Sequence, residues 1–206
     1  MKHLYISLLL LLSLSGCGVQ PPSNLTVTNT TTTTFANPYF SDPAKDYVYK
    51  AKIEAFGHHF GGLFILKKTS ETAHRIVFTS EFGSKFFDFT LEGNQLTTNF
   101  ILPELDKKIV LNMLKKDFMV LLQPSIVIEK AYSSKEGTVF SAKHNKDYLY
   151  YYTKDADQKL SAISVCSKRK EKVLFTFAGT QPTVAQQVTI VHKTINLSID
   201  LDFISK

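Results

Sequence analysis

The chain has 206 residues, with 24 lysines and arginines against 18 aspartates and glutamates, for a formal net charge of +6. The lysines are dispersed rather than gathered in a run, so a nucleic-acid partner is not expected. No G-x-S-x-G elbow, H-E-x-x-H pair, P-loop or Cys-x-x-Cys is present. Nothing in the sequence therefore points to an enzyme, a metal site or a cofactor.

The chain begins with Lys2 and His3, continues through an apolar run from Leu4 to Leu14, and reaches Ser15, Gly16 and Cys17. A charged start, a short apolar stretch and small residues make a secretory signal. The run is shorter than the roughly 20 apolar residues that a spanning helix needs. Leu14-Ser15-Gly16-Cys17 resembles the lipobox of bacterial lipoproteins. The resemblance implies cleavage before Cys17 and a diacylglycerol on its sulfur, with the membrane as anchor. No acidic residue follows among Gly18, Val19 and Gln20, which implies the outer membrane and its periplasmic face.

Residues 1–16 are thus expected to be a signal peptide, and residues 17–40 a flexible tether. The tether carries Pro21, Pro22 and the threonine tract Thr30–Thr34, with few large apolar residues to offset the entropy of ordering. A single domain is expected over residues 41–206. Lipidation of Cys17 would leave Cys166 alone, in an alternating apolar segment where a buried thiol fits.

From Tyr47 the pattern has period two. Tyr47, Tyr49, Ala51, Ile53 and Ala55 alternate with Lys50, Lys52 and Glu54, which predicts a strand. Gly57 to Gly62 is expected to break it with a turn. Strands follow at Leu63–Lys67, Arg75–Thr79, Ser84–Leu91 and Gln95–Leu102, with Gly93-Asn94 as a turn. The period then becomes helical. Leu105, Ile109, Val110, Met113, Leu114 and Phe118 make one apolar stripe, which predicts a helix from Pro103 to Val120. Further strands are expected at Ile126–Tyr132, Thr138–Lys143, Tyr148–Thr153, Leu160–Cys166 and Lys172–Phe177. Near the C-terminus the apolar positions switch from even (Val188, Ile190) to odd (Ile195 to Phe203). A single strand cannot change face without a break, so a hairpin near His192-Lys193-Thr194 is predicted.

About eleven antiparallel strands and one helix describe a mainly β domain, either a sandwich or a curled, barrel-like sheet. A barrel of about eight strands is filled by its own side chains, and a wider one leaves a cavity. Phe64, Leu66, Phe87, Phe89, Leu91, Val173, Phe175 and Phe177 offer an apolar inner face, and Met113 and Phe118 belong to the helix stripe that would cover it. The chain has sixteen phenylalanines and no tryptophan. Phenylalanine supplies apolar area without a polar atom, which suits either an acyl-chain pocket or an ordinary core. A lipid-binding protein and a structural or interaction lipoprotein with a filled core both fit.

Within this order of elements, Lys50-Ala51-Lys52-Ile53-Glu54-Ala55-Phe56-Gly57, Gly61-Gly62-Leu63 and Thr79-Ser80-Glu81-Phe82-Gly83 resemble the LolA/LolB superfamily of lipoprotein carriers and acceptors. The closing hairpin is similar as well. The resemblance implies a half-open antiparallel β-barrel with a helical lid over an apolar cavity. It implies as partners the acyl chains of lipids or lipoproteins and a periplasmic carrier protein. It also implies a membrane-inserting role for Phe82, at the tip of the Ser80–Ser84 loop. The chain departs from the family in lacking tryptophan and an amphipathic helix ahead of its first strand.

Overall fold

The computed structural model describes residues 25–154, 159–167 and 170–204. The signal-like segment and the lipobox with Cys17 lie outside the described residues.

Alternation at the start of the domain becomes β3 (Asp46–Ala55), with Tyr47, Tyr49, Ala51 and Ile53 buried and Lys50, Lys52 and Glu54 exposed. Phe56 and Gly57 turn the chain with φ of 52° and 85°. This is the left-handed pair that a two-residue hairpin needs. β4 (His58–Lys68) therefore starts at once, and the break expected over Gly57 to Gly62 shrinks to two residues. Gly62 is inside the strand for a steric reason. A β-carbon there would fall 1.9 Å from the carbonyl oxygen of Thr79, where the next strand comes closest.

The meander continues through β5 (Ala73–Thr79), β6 (Lys85–Glu92) and β7 (Gln95–Ile101). Helix α1 (Lys108–Leu121) follows. Next come β8 (Ser125–Val127), β9 (Lys130–Ser133), β10 (Thr138–His144), β11 (Asp147–Lys154), β12 (Lys159–Ser167), β13 (Lys170–Ala178), β14 (Gln187–His192) and β15 (Leu197–Phe203). The face switch after His192 is resolved by the predicted hairpin, with Val188 opposite Leu201 and Ile190 opposite Ile199.

Thirteen strands form one antiparallel sheet in the order β1-β9-β10-β11-β12-β13-β14-β15-β3-β4-β5-β6-β7, where β1 is Thr26–Thr28. The mainly β class with one helix is as expected among the described residues. The finer description is corrected: the described residues form fifteen strands rather than about eleven, and the sheet stays open, with β1 and β7 as its edges. The single strand expected over Ile126–Tyr132 is two, because β8 leaves the main sheet to pair with β2 (Thr34–Ala36).

That pairing also corrects the tether. Residues 25–40 carry β1 and β2, and Tyr39 and Phe40 are buried in the main core. β1 and β2 pair with the backbones of β9 and β8, and of their own side chains Phe35 is half-buried against the core while the rest are exposed. Composition alone therefore did not reveal them.

The helix is shorter at its start than expected. Pro103 and Glu104 lie in a turn closed by the Leu105 and Asp106 amides on the Leu102 carbonyl, and the helix begins at Lys108. Its buried residues are Leu114, Asp117, Phe118, Val120 and Leu121, all but Leu114 in the C-terminal half. Ile109, expected in the apolar stripe, is 71% exposed. The C-terminal half of α1 is the more deeply buried, while Val110, Leu111 and Met113 of its first two turns pack half-buried at the margin of the same core. Pro124 ends the helix, since the residue before a proline is disfavoured in helical conformation. Cys166 is buried, as expected, and burial pushes its thiol up.

Candidate functional site

The concave face of β4, β5 and β6 turns inward Phe64, Leu66, Phe78, Phe87, Phe89 and Leu91, all buried. Phe118 of α1 is fully buried against this wall, with ring centroids 5.9 Å from Phe64, 6.1 Å from Phe87 and 6.4 Å from Phe89. Phe87 and Phe89 stack at 4.7 Å. The residues expected to line a hollow thus touch one another. The space between helix and sheet is occupied by their own rings, which corrects the open cavity at this place. Rings without polar atoms close on one another in stacked and edge-to-face contacts at no cost in unmet hydrogen bonds. Phe175 and Phe177 of β13 are also buried, but Phe177 stacks on Tyr39 at 5.0 Å rather than joining the group around Phe118. Met113 is half-buried at the margin.

Two polar contacts hold the C-terminal half of α1. The side chain of Asn37 donates to the Leu121 carbonyl at 3.1 Å, meeting one of the helix's terminal acceptors. Asp117 meets His192 Nε2 at 2.9 Å, with both side chains buried. Burial pushes the Asp117 carboxyl up, opposed by the hydrogen bond from His192 and by the nearby charges of His192 and Lys116. Neither contact was visible in the sequence. A buried asparagine in a threonine-rich stretch and an aspartate inside the helix's apolar stripe were the available signals.

At the C-terminal end of α1 a cleft of about 420 Å³ opens between the two halves of the sheet. Leu91, Met119 and Leu122 form an apolar floor, and His74, Lys143 and His144 stand at its sides. Leu91 and Leu122 are core residues and Met119 packs against that core, so the floor is continuous with the aromatic interior. Of the residues predicted to line a cavity, Leu91 is the one that reaches this cleft.

The Ser80–Ser84 loop carries Phe82 at its tip, 97% exposed. The loop is well braced. The Gly83 amide donates to the Ser80 carbonyl at 3.0 Å, the Ser80 amide to the Ser84 carbonyl at 2.8 Å, and Lys50 reaches Glu81 at 3.4 Å. Gly83 takes φ of 85°, which closes the turn and aims Phe82 outward.

Below this loop, on the outer face, Asp88 is a buried carboxylate on a strand surface. Arg75 grips it with two hydrogen bonds of 2.8 and 3.1 Å, and Lys85 and Asn99 add one each. The Arg75 guanidinium, with Asn99 and Lys85, holds the carboxyl well below the usual carboxylate range. This cluster ties β5, β6 and β7 together beneath Phe82.

An open antiparallel sheet curled over one helix, with an aromatic interior and a braced, projecting aromatic loop, is the architecture these elements define. No protein-family model matches the chain, and no curated protein matches it significantly. Among solved structures, the fold is similar to that of a LolA superfamily protein from Nitrosomonas europaea. The identity is 7%, the TM-score is 0.48, and the likeness covers 81% of this chain and 87% of that one.

Proposed function

We propose that the protein is a non-enzymatic outer-membrane lipoprotein that takes up acyl chains of lipids or lipoproteins beneath α1. In this reading Cys17 carries the membrane anchor, and Phe82 touches the bilayer during exchange with a periplasmic carrier. The observation that carries the proposal is the contact of Phe118 with a wall of phenyl rings, on a helix whose first two turns are only partly buried. Burying one phenylalanine side chain is worth about 1.5–3 kcal/mol, and each acyl methylene about 0.8 kcal/mol. On those magnitudes, three or four methylenes offset the displacement of Phe118, so a long chain can take the ring's place. The exposed tip of Phe82 supports a membrane-touching role.

The packed rings also favour a second reading, a structural lipoprotein whose interior stays filled and whose surface binds a protein. One experiment decides between them. The full-length Cys17→Ser chain is titrated with a fluorescent fatty acid, and co-purifying lipid is sought by mass spectrometry. Saturable binding displaced by palmitate supports acyl uptake. Absence of both bound lipid and saturation rejects it and leaves the filled-core reading.

A further inference from the structure

The cleft at the end of α1 combines features that acyl uptake alone does not require. His74 is 92% removed from solvent, with 8% exposure, and the ring borders the cleft. Its Nε2 donates to the Phe40 carbonyl at 3.1 Å, because a carbonyl can only accept. The neutral ring then presents Nδ1 as an acceptor, and Nδ1 has no hydrogen-bond partner among the described residues. On another side, Lys143 and His144 close β10 just before a tight turn, where Asn145 takes φ of 56°. Lys143 is exposed and forms no ion pair among the described residues. Glu71, the carboxylate at the cleft, already faces Lys68 at 3.3 Å. A cation without a partner, a bare ring acceptor and the apolar floor of Leu91, Met119 and Leu122 therefore share one cleft.

We propose that this cleft seats the head of an anionic amphiphile, with its phosphate against Lys143 and His144, a hydroxyl donating to His74 Nδ1, and its first methylenes on Leu91, Met119 and Leu122. The proposal rests on the acyl-uptake reading and adds the class of head group. The head binds at the mouth of the interior, and the chain runs from there toward Phe118. A volume of about 420 Å³ lies within the range of small-molecule sites and takes a head group with a few methylenes.

The test uses the full-length Cys17→Ser chain and three probes: 1-palmitoyl-lysophosphatidylglycerol below its micelle concentration, 1-palmitoylglycerol, and inorganic phosphate. Affinity is read by calorimetry, and the ring C2 protons of His74 and His144 are followed by NMR. The lysophospholipid is expected to bind saturably and to move both resonances. Lys143→Glu is expected to weaken it about tenfold or more, as loss of a charge-assisted contact does, while 1-palmitoylglycerol binding is unchanged. Lys143 is exposed, so the variant folds. A Lys143→Glu chain that binds the lysophospholipid as tightly as the parent overturns the head-group site and leaves acyl uptake standing. Binding of inorganic phosphate as tight as that of the lysophospholipid, with the same histidine shifts, identifies a free-phosphate site and overturns the amphiphile. Failure of both palmitoyl probes to bind overturns acyl uptake together with this site.

Discussion

Asp117 on α1 and His192 on β14 meet at 2.9 Å across 75 positions of the chain, with side-chain exposures of 4% and 8%. The pair fixes the helix on the concave face at the height of Phe118. Either residue without the other would be a polar group stranded in an apolar layer. Asp117→Ala is expected to cost about 3–5 kcal/mol in urea unfolding, with Asp117→Asn milder because it can still hydrogen-bond to His192. The pH dependence has a definite sign. Burial raises the Asp117 carboxyl above its unfolded value of about 3.9, so its stabilising contribution is complete below that pH and is lost as pH rises through the folded value. The parent should therefore lose stability relative to Asp117→Asn as pH is raised above about 4. A constant gap across that range would show that Asp117 titrates normally.

Asp88 has the opposite sign. Its carboxyl is held down mainly by Arg75, so its contribution is present above about pH 4 and is lost as pH falls through the folded value. Asp88→Asn is expected to be less stable than the parent at neutral pH by about 1–3 kcal/mol. Its acid-unfolding limb should also be flatter. Equal acid limbs in the two proteins would exclude the Arg75 clamp as a source of stability.

Phe118 is the ring that fills the space between helix and wall. Phe118→Ala is expected to cost about 3–5 kcal/mol through the void it leaves. Phe118→Leu should cost less and bind the fluorescent fatty acid more tightly than the parent, since less of the wall must be cleared. Unchanged or weaker fatty-acid binding in Phe118→Leu would place the acyl chain elsewhere.

Tyr151 is 1% exposed, and its hydroxyl has no hydrogen-bond partner among the described residues. It lies beneath Phe35 of β2, with ring centroids 5.9 Å apart. An unmet buried hydroxyl costs about 1–3 kcal/mol, so Tyr151→Phe should leave the melting temperature unchanged or raise it. A clear fall would mean that the hydroxyl is satisfied in solution.

Phe82 bears almost no packing load at 97% exposure. Phe82→Glu is expected to change stability by less than about 0.5 kcal/mol. The same variant should lose binding to phosphatidylethanolamine/phosphatidylglycerol vesicles in a sedimentation assay with the Cys17→Ser chain. Equal co-sedimentation of variant and parent would remove Phe82 from the membrane contact.

The strands were legible wherever one face is buried and the other wet. β3 is the clear case, and the parity switch between Ile190 and Ile195 placed the last hairpin. The inward faces of β4, β6 and β13 were legible for the same reason. Whether those faces bound a hollow or fill it was not, because that depends on where the ring of Phe118 lands, a matter of three-dimensional packing. The start of α1 was misjudged because Pro103 and Glu104 suit a helix start and a turn equally well. β1 and β2 left no signal, since partner backbones order them. Cross-chain pairs such as Asp117 with His192, or Asn37 with Leu121, have no local signature at all.

The sheet order places β15 between β14 and β3. The meander from β3 to β7 and the one from β9 to β14 therefore have no strand joining them until residues 197–203 slot in as a zip. While the chain is still being made, each half presents a raw edge at its centre, the place most inviting to another protein's backbone. Such long-range closure is slow. The step that locks the molecule therefore waits for its last strand.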